Sequence, residues 1–519
     1  MDMMKRMKGV GVLLTTNWKR LKSGTDIRGV ASGGVPGEPV ALTDPILGGI
    51  ANGFALWLSS RAGRPVSALT VAVGHDSRVS APRIFAAVSD ALTKAGVRVL
   101  DCGLASTPSM FHVTRALSCD GSIQITASHH PWNRNGLKFF TPGGGLDGAD
   151  IERILLHAQD GDTPPRGAGT VEKADYMKRY SADLRDQIRR GVGAADYEKP
   201  LAGFHIVVDA GNGAGGFYAR DVLAPLGADV SGSQFLEPDG MFPNHVPNPE
   251  NEDAMRSVCG AVLRAKADLG VIFDTDVDRG GAVDASGEEI NRNRLVALAA
   301  YIALEHCPGG TVVTDSVTSS GLTEYIEKTL GGKHRRFKRG YRNVINEAVR
   351  LNKAGVDCPL AIETSGHAAM RENYFLDDGA YLVTKIIILA AKLRAQGRTV
   401  GDLLAPLREP AEALELRFPI LDSDFRARGE SIVGALERYA GKQPGWTVAP
   451  NNFEGVRVSL DPAHGNGWFL LRLSVHDPIL PLNVESDEAG GAAVILKQLE
   501  KFLSGCAGID LSPLQKAEA

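Results

Sequence analysis

The 519-residue chain is short of several things at once. It has only six cysteines, Cys102, Cys119, Cys259, Cys307, Cys358 and Cys506, and no C-x-x-C pair. That spacing excludes a zinc finger and a disulfide framework, and reads as buried thiols in a reducing compartment. No apolar run approaches the ~18 residues that a membrane-spanning helix needs. Charge of one sign is lacking too: 57 Lys/Arg stand against 61 Asp/Glu, a net charge of −4. No global basic field exists to hold a polyanion, so neither nucleic acid nor a membrane is expected as a partner. The first 22 residues carry six Lys/Arg and one Asp. Their apolar stretch, Gly9 to Leu14, is too short for a secretory signal, and no serine precedes Ser23, unlike a serine-rich transit peptide. A solvated basic start and a cytoplasmic location are expected, with a trimmed or atypical plastid leader as the alternative.

Glycine is plentiful. Sixty in 519 is about 12%, against a usual ~7%. Without a short repeat, that surplus points to tight turns and to loops where backbone approaches a ligand. The length suits about three or four domains at roughly 150 residues each. Along the chain a short apolar run repeatedly ends in a polar or glycine-rich turn, and an amphipathic stretch follows. Leu69–Val73, Ile123–Thr126, Ile206–Val208, Val271–Phe273 and Val312–Val313 are such runs. Short β-rich runs alternating with helical patterns give βαβ units, whose ligands bind beyond the carboxyl ends of the strands. The tail differs. Val456–Ser459 and Trp468–Ser474 alternate like antiparallel strands, and Ser486 is placed to cap a final helix ending near Leu503. Breaks at 160–169, near 290 and near 408–410 give three α/β domains, 1–170, 171–290 and 291–412, and a smaller α+β domain, 413–519.

Four loops carry chemistry-bearing residues. In Thr126-Ala-Ser-His-His-Pro131, a serine at a strand end has His129 beside it and Lys138 nearby. A hydroxyl becomes a nucleophile only when a neighbouring base or charge activates it. The turn Asn135-Gly136 is expected to swing the chain back towards the serine. On spacing alone, a plain hairpin with a surface serine fits as well. In Val271-Ile-Phe-Asp-Thr-Asp-Val-Asp-Arg279, three carboxylates at alternate positions face one way if the chain stays extended. All-oxygen ligands suit Mg²⁺ or Ca²⁺. An EF-hand is excluded by Arg279 and Ala285 at its sixth and twelfth positions, while the D-x-D of haloacid-dehalogenase phosphatases is a closer rival.

The third loop, Ile362-Glu-Thr-Ser-Gly-His367 followed by Asp377-Asp-Gly-Ala-Tyr381, offers Glu363 and Ser365 to sugar hydroxyls and His367 as a proton carrier. The fourth, Gly467 to Pro478, offers the phosphate fork of Arg472, with Ser474 and His476 on its face. An edge strand with scattered polar residues fits that segment equally. Two further segments invite other readings. Gly211-Asn-Gly-Ala-Gly-Gly216 satisfies the dinucleotide fingerprint and would support an NAD-dependent oxidoreductase, but a packing turn between strand and helix explains it better. Lys333–Arg342, with six Lys/Arg in ten residues, reads as a phosphate-ester loop or a solvated face.

Together the four loops fit phosphoryl transfer on a sugar phosphate. In that order, from about Ser23 to Ser486, they resemble the α-D-phosphohexomutase superfamily, closest to its phosphomannomutase/phosphoglucomutase group. The resemblance implies three similar α/β domains with mixed or parallel sheets and a C-terminal α+β domain around a central cleft. It implies that Ser128 is the phosphorylated carrier, Lys138 a general acid/base, and His129 the histidine flanking the carrier. Asp274, Asp276 and Asp278 match the Mg²⁺ ligands, with phosphorylated Ser128 completing the set, and Arg279 matches the arginine that follows them. Ser23-Gly-Thr-Asp-Ile-Arg28 resembles the amino-terminal signature, which points to Thr25 and Arg28. Lys338 and Gly340 fall in the loop that senses sugar orientation. Glu363, Ser365 and His367 match the sugar loop, and Arg472, Ser474 and His476 the phosphate loop.

The implied reaction interconverts hexose 1-phosphate and 6-phosphate, of glucose or mannose, through a 1,6-bisphosphate that also serves as activator. The implied partners are small-molecule hexose phosphates, and the implied state is a monomer or dimer. A phosphoacetylglucosamine-type mutase and a weakly active sugar-phosphate-binding relative are the alternatives. Three departures mark a divergent branch. His130 replaces the usual Asn, Thr275 and Val277 replace glycines, and Ser-Val-His-Asp-Pro replaces the common phosphate-loop run.

Overall fold

The computed structural model describes residues 14–474 and 477–518. The basic amino-terminal stretch up to residue 13, and His476, lie outside the described residues. No helix of the described residues is long and apolar enough to cross a membrane. The chain forms two compact units. One takes the chain up to Asn291 together with Ser365–Ala368 and Leu376–Thr399; the other holds Arg292–Thr364, Ala369–Phe375 and Val400 onwards.

In the first unit, the run predicted around Leu69–Val73 forms the strand Thr70–His75. It pairs in parallel with Arg98–Leu104 and Gly121–Ile125. Gly121–Ile125 then pairs antiparallel with Arg134–Thr141, and that strand with Asp26–Val30. Gly121–Ile125 is buried at every position, as a strand covered on both faces must be. On one face Ile123, Ile125, Leu137 and Phe139 pack with Leu47, Phe54, Ile84 and Val88 of the helices Asp44–Ala62 and Ala81–Lys94. The alternate residues turn the other way. There Ser122 and Gln124 donate to the carbonyls of Met110 and Ala105. Strand alternation thus puts Lys138 on the face away from the apolar core.

The expected turn at Asn135-Gly136 is not one. Both residues lie inside Arg134–Thr141, and the Thr126 amide donates to the Gly136 carbonyl at 3.0 Å. Glycine is required there because a Cβ would sit 2.8 Å from the Thr126 carbonyl and closer still to that of Ile27.

The second sheet of this unit joins Ile206–Asp209 in parallel to Leu269–Phe273, which continues antiparallel into Gly280–Asp284 and Glu289–Ile290. Helix Glu252–Ala265, capped by the Asn251 side chain, covers it with Met255, Val258 and Val262. The glycine-rich segment after Ile206–Asp209 is a packing turn. The Ala214 amide donates to the Thr275 carbonyl at 2.8 Å, and a Cβ on Gly213 would stand 2.6 Å from that oxygen.

In the second unit, Lys333–Arg336, Thr311–Thr314 and Leu360–Ile362 run parallel under helix Tyr341–Lys353. The carboxyl-terminal sheet is wholly antiparallel, in the order Glu412–Pro419, Ile479–Ser486, Gly467–Leu471, Val456–Leu460, Trp446–Val448. Helices Phe425–Ala440 and Gly491–Leu503 close its apolar side. Ser486 ends a strand and does not cap the helix Gly491–Leu503, whose cap is Gly490 in the left-handed region, and a further helix, Ser512–Glu518, follows it. The Ser486 hydroxyl instead donates to the Gly465 carbonyl at 2.7 Å.

Candidate functional site

Ser128 follows the strand Gly121–Ile125 with φ +51°, a left-handed conformation that is uncommon for serine. Its amide donates to Thr126 Oγ1 at 2.9 Å, which fixes the turn. The hydroxyl is 146 positions from its main partner: Ser128 Oγ donates to Asp274 Oδ2 at 2.9 Å. It also accepts from Arg279 Nη2 at 2.9 Å. His129 Nδ1 stands farther off, at 3.4 Å. The serine and acidic loops of the sequence therefore meet at one hydroxyl, whose hydrogen bond goes to Asp274 and not to His129.

The three aspartates converge, but not on an extended chain. Residues 274–278 form a tight turn in which Val277, buried and β-branched, takes φ +66°. Such a conformation is a true outlier for a β-branched residue. One carboxylate oxygen from each of Asp274, Asp276 and Asp278 lies within 4.8 Å of the others. All three side chains are buried. Lys138 Nζ donates to Asp276 Oδ2 at 2.8 Å and also to Asp278 Oδ2. Asp276 Oδ1 and Asp278 Oδ1 are buried and accept no hydrogen bond among the described residues.

Burial and the neighbouring Asp278 charge push Asp274 well above the usual carboxylate range. Burial also opposes ionisation of Asp278, but Lys138, His367 and Arg279 outweigh it and hold that carboxyl well below its usual range. An all-oxygen donor set with two orphaned oxygens and one aspartate forced towards its neutral form fits a hard divalent cation.

Two histidines are set apart by their partners. His129 is pushed down to about 2, first by burial and then by the Arg279 charge. Arg279 Nη2 lies 2.7 Å from His129 Nδ1. A guanidinium only donates, so this nitrogen accepts and the ring is neutral. His367 goes the other way. Burial opposes its charge, but Asp377 and Asp278 outweigh that and lift it to about 9. Its Nδ1 bonds Asp377 Oδ2 at 2.6 Å and lies 3.9 Å from Asp278 Oδ1. Arg279 and His367 also share an isolated antiparallel bridge. Arg28 is half-buried and donates to Asp26 Oδ2 at 2.8 Å, and Thr25 is half-buried beside it. Ser365 presents a buried hydroxyl that makes no hydrogen bond among the described residues.

The second unit holds the remaining predicted residues. The Gly340 amide donates to Glu363 Oε1 at 2.6 Å, which ties two of the sequence motifs together. Lys338 is exposed. Arg472 lies just past the end of Gly467–Leu471, with Nε 4.0 Å from Glu454 Oε1. Ser474 accepts from the Asp477 amide at 3.2 Å. The strand Gly467–Leu471 ends before both, but pairing continues through them: the Arg472 amide donates to the Pro481 carbonyl and the Ser474 amide to the Ile479 carbonyl, each at 3.1 Å. The basic run Lys333–Arg342 is largely paired within its unit: Arg335 bonds Glu347, and Arg336 donates to Thr318, Ser319 and Thr323.

Three contributors escaped the sequence reading. Asn248 Oδ1 accepts from Arg279 Nη1 at 3.0 Å. The Thr107 hydroxyl donates to Asp276 Oδ2, and the Thr107 amide to the Asp276 carbonyl at 2.8 Å. Arg78 donates to the carbonyl of Ser128. No local pattern marks any of them, because each acts across the fold.

Comparisons with known proteins agree with this arrangement. The chain matches the models for phosphoglucomutase/phosphomannomutase alpha/beta/alpha domain I at residues 20–163, domain II at 179–287 and domain III at 291–410. A phosphomannomutase/phosphoglucomutase of Pseudomonas putida is 31% identical over 419 residues, 80% of this chain and 83% of that protein. A phosphoglucomutase/phosphomannomutase of Thermococcus kodakarensis is 30% identical over 443 residues, 84% of this chain and 91% of that protein. Among solved structures, a phosphoglucomutase/phosphomannomutase family protein of Burkholderia thailandensis superposes with a TM-score of 0.78. It is 26% identical, and the match covers 96% of this chain and 99% of that one. The chain therefore belongs to the phosphoglucomutase/phosphomannomutase family of the α-D-phosphohexomutase superfamily, a family of mutases.

Proposed function

We propose that this chain interconverts the 1-phosphate and 6-phosphate of a hexose, glucose or mannose, with Ser128 as the phosphoryl carrier. The observation that carries the reading is the meeting of Ser128 Oγ with Asp274 Oδ2 and Arg279 Nη2, each at 2.9 Å. Phosphorylated Ser128 gives its phosphoryl group to the free hydroxyl of the sugar monophosphate. The Ser128 Oγ–P bond breaks, a P–O bond to the sugar forms, and the hydroxyl proton passes to the enzyme. The sugar is then a 1,6-bisphosphate, the species that also serves as activator. Return of the other phosphoryl group to Ser128 completes the exchange.

The acidic loop is proposed as the Mg²⁺ site, with Asp274, Asp276 and Asp278 as ligands beside Ser128; the ion's chemistry there is to offset charge on the transferring group. Arg279 holds Ser128 Oγ and contributes fixed positive charge at the same point. Lys138 and His367, each facing carboxylates, are the groups proposed to hold and move the proton. His129, neutral and accepting from Arg279, is proposed to orient that guanidinium. Glu363, Ser365, Lys338, Gly340, Thr25 and Arg28 are proposed to bind the sugar and its reacting end. Arg472 and Ser474, with His476, are proposed to grip the distal phosphate.

Ser128→Ala tests this directly. The variant should fold and lose conversion of glucose 1-phosphate and of mannose 1-phosphate to the 6-phosphates; retained turnover would sink the carrier assignment.

A further inference from the structure

The serine loop depends on a residue that the transfer itself does not use. Arg78 lies in the turn after Thr70–His75, and its side chain is completely buried, as is that of Asp76. A buried guanidinium must spend its donors on partners or pay a large desolvation cost. Arg78 spends them on one loop. Its Nη1 donates to the carbonyls of Pro131 at 2.7 Å and Arg134 at 2.8 Å. Its Nη2 donates to the carbonyls of His130 at 2.6 Å and Ser128. Its Nε faces Asp76 Oδ2 at 3.3 Å, and its own amide donates to Asp76 Oδ1 at 2.9 Å. Two nitrogens of one planar fork thus satisfy four carbonyls of residues 128–134.

The loop needs such a fork. After the strand ends at Ile125, the carbonyls of Ser128 and His130 lie outside any strand, and buried acceptors must find donors. Ser128 sits in the left-handed region, which a serine leaves unless its surroundings hold it. Phe242 closes over the guanidinium, with its ring centre 5.2 Å from Cζ. Gly240 is pressed so close to the turn that a Cβ would meet the Ser77 carbonyl and the Val79 amide. We propose that Arg78, anchored by Asp76, is a positioning residue that holds the Ser128 loop so that Oγ meets Asp274 and Arg279 in reacting geometry. This rests on the reading of Ser128 as the carrier. A lysine cannot substitute, because an ammonium offers three donors from one point and no planar fork.

The test uses the full chain and the variants Arg78→Lys, Arg78→Ala and Asp76→Asn, each compared with the wild type by thermal unfolding, hydrogen exchange and kinetics. Arg78→Lys should still unfold cooperatively, while amides of residues 127–134 exchange about tenfold faster and those of 269–273 do not change. Its kcat should fall about a hundredfold, the scale of a misplacement near 1 Å, with KM moving less than about threefold. Added guanidinium should restore part of the kcat of Arg78→Ala, which a general loss of folding would not allow. Asp76→Asn keeps the acceptor for the Arg78 amide and should show the same local loosening to a smaller degree. Unchanged exchange at 127–134 together with unchanged kcat, in whichever of these variants folds, overturns the clamp. Phosphate mapping on the wild type separates the two claims. If hexose 1,6-bisphosphate leaves no phosphate on Ser128, the carrier reading fails, and the exchange arm still decides whether Arg78 orders the loop.

Discussion

The Ser128–Asp274 centre and the Arg472 loop present charged groups in opposite surroundings. At the first, Ser128, Lys138, Asp274, Asp276, Asp278 and Arg279 are each under 5% exposed and bonded to one another. At the second, Arg472 and Ser474 are half-buried, and the loop leaves its strand at Leu471. The first is a dry, fixed arrangement of the kind that stabilises a transition state without reorganising. The second is half-open, which suits the proposed grip on a phosphate at either end of a sugar.

Removing the guanidinium from the first region should have the largest effect. Arg279→Met takes the guanidinium from the carboxyls of Asp274, Asp278 and Glu250 and leaves Ser128 Oγ without its donor. Stability should fall by about 3–5 kcal/mol, the scale for breaking a buried pair. Thermal unfolding and a coupled mutase assay check this. A variant as stable and active as the wild type would contradict the fixed-centre picture. Arg472→Ala should behave differently. If Arg472 grips the distal phosphate as proposed, the change removes charge-assisted hydrogen bonds worth about 1.5–3 kcal/mol, so KM should rise roughly tenfold to a hundredfold with the unfolding temperature unchanged. A large loss of stability would show that Arg472 is a structural residue and erase the contrast.

How far the sequence anticipated each region follows the same line. Ser128 and the three aspartates were legible as polar residues just past the strands Gly121–Ile125 and Leu269–Phe273, whereas Lys138 was expected to return through a turn at Asn135-Gly136 and instead lies within the strand Arg134–Thr141. The path of the acidic loop was not. An extended chain was expected, whereas Val277 turns left-handed, a state disfavoured for valine and held here by tertiary contacts. One such contact is the Gly379 amide donating to the Val277 carbonyl at 3.1 Å. Asn248 and Arg78 were invisible because their partners lie 31 and 50 positions away. In the Arg472 loop, alternation suggested a strand to Ser474; the named strand ends at Leu471, and the amides of Arg472 and Ser474 go on to donate to the carbonyls of Pro481 and Ile479. The glycine surplus proved informative at Gly136 and Gly213, where backbone passes backbone at distances no Cβ permits.

The smallest effect is a pH dependence in the carboxyl-terminal sheet behind the Arg472 loop. Glu485 accepts from Trp468 Nε1 at 2.8 Å. Burial lifts its carboxyl to about 7, against that bond and the charges of Arg457 and Arg336. The fold therefore favours the protonated form. Its contribution is complete below the ordinary value of 4.5 and is lost as pH rises through about 7. Glu485→Gln should flatten the unfolding temperature across that window while leaving kcat untouched. An unchanged pH profile would remove Glu485 from the account.

The central claim is that Ser128 carries the phosphoryl group. Incubation with hexose 1,6-bisphosphate and Mg²⁺, followed by intact-mass measurement and peptide mapping, tests it most directly. One phosphate on Ser128, transferred quantitatively to added glucose 6-phosphate or mannose 6-phosphate and absent from Ser128→Ala, is the expected result. Phosphate on another residue, or turnover without any phosphoenzyme, would contradict it.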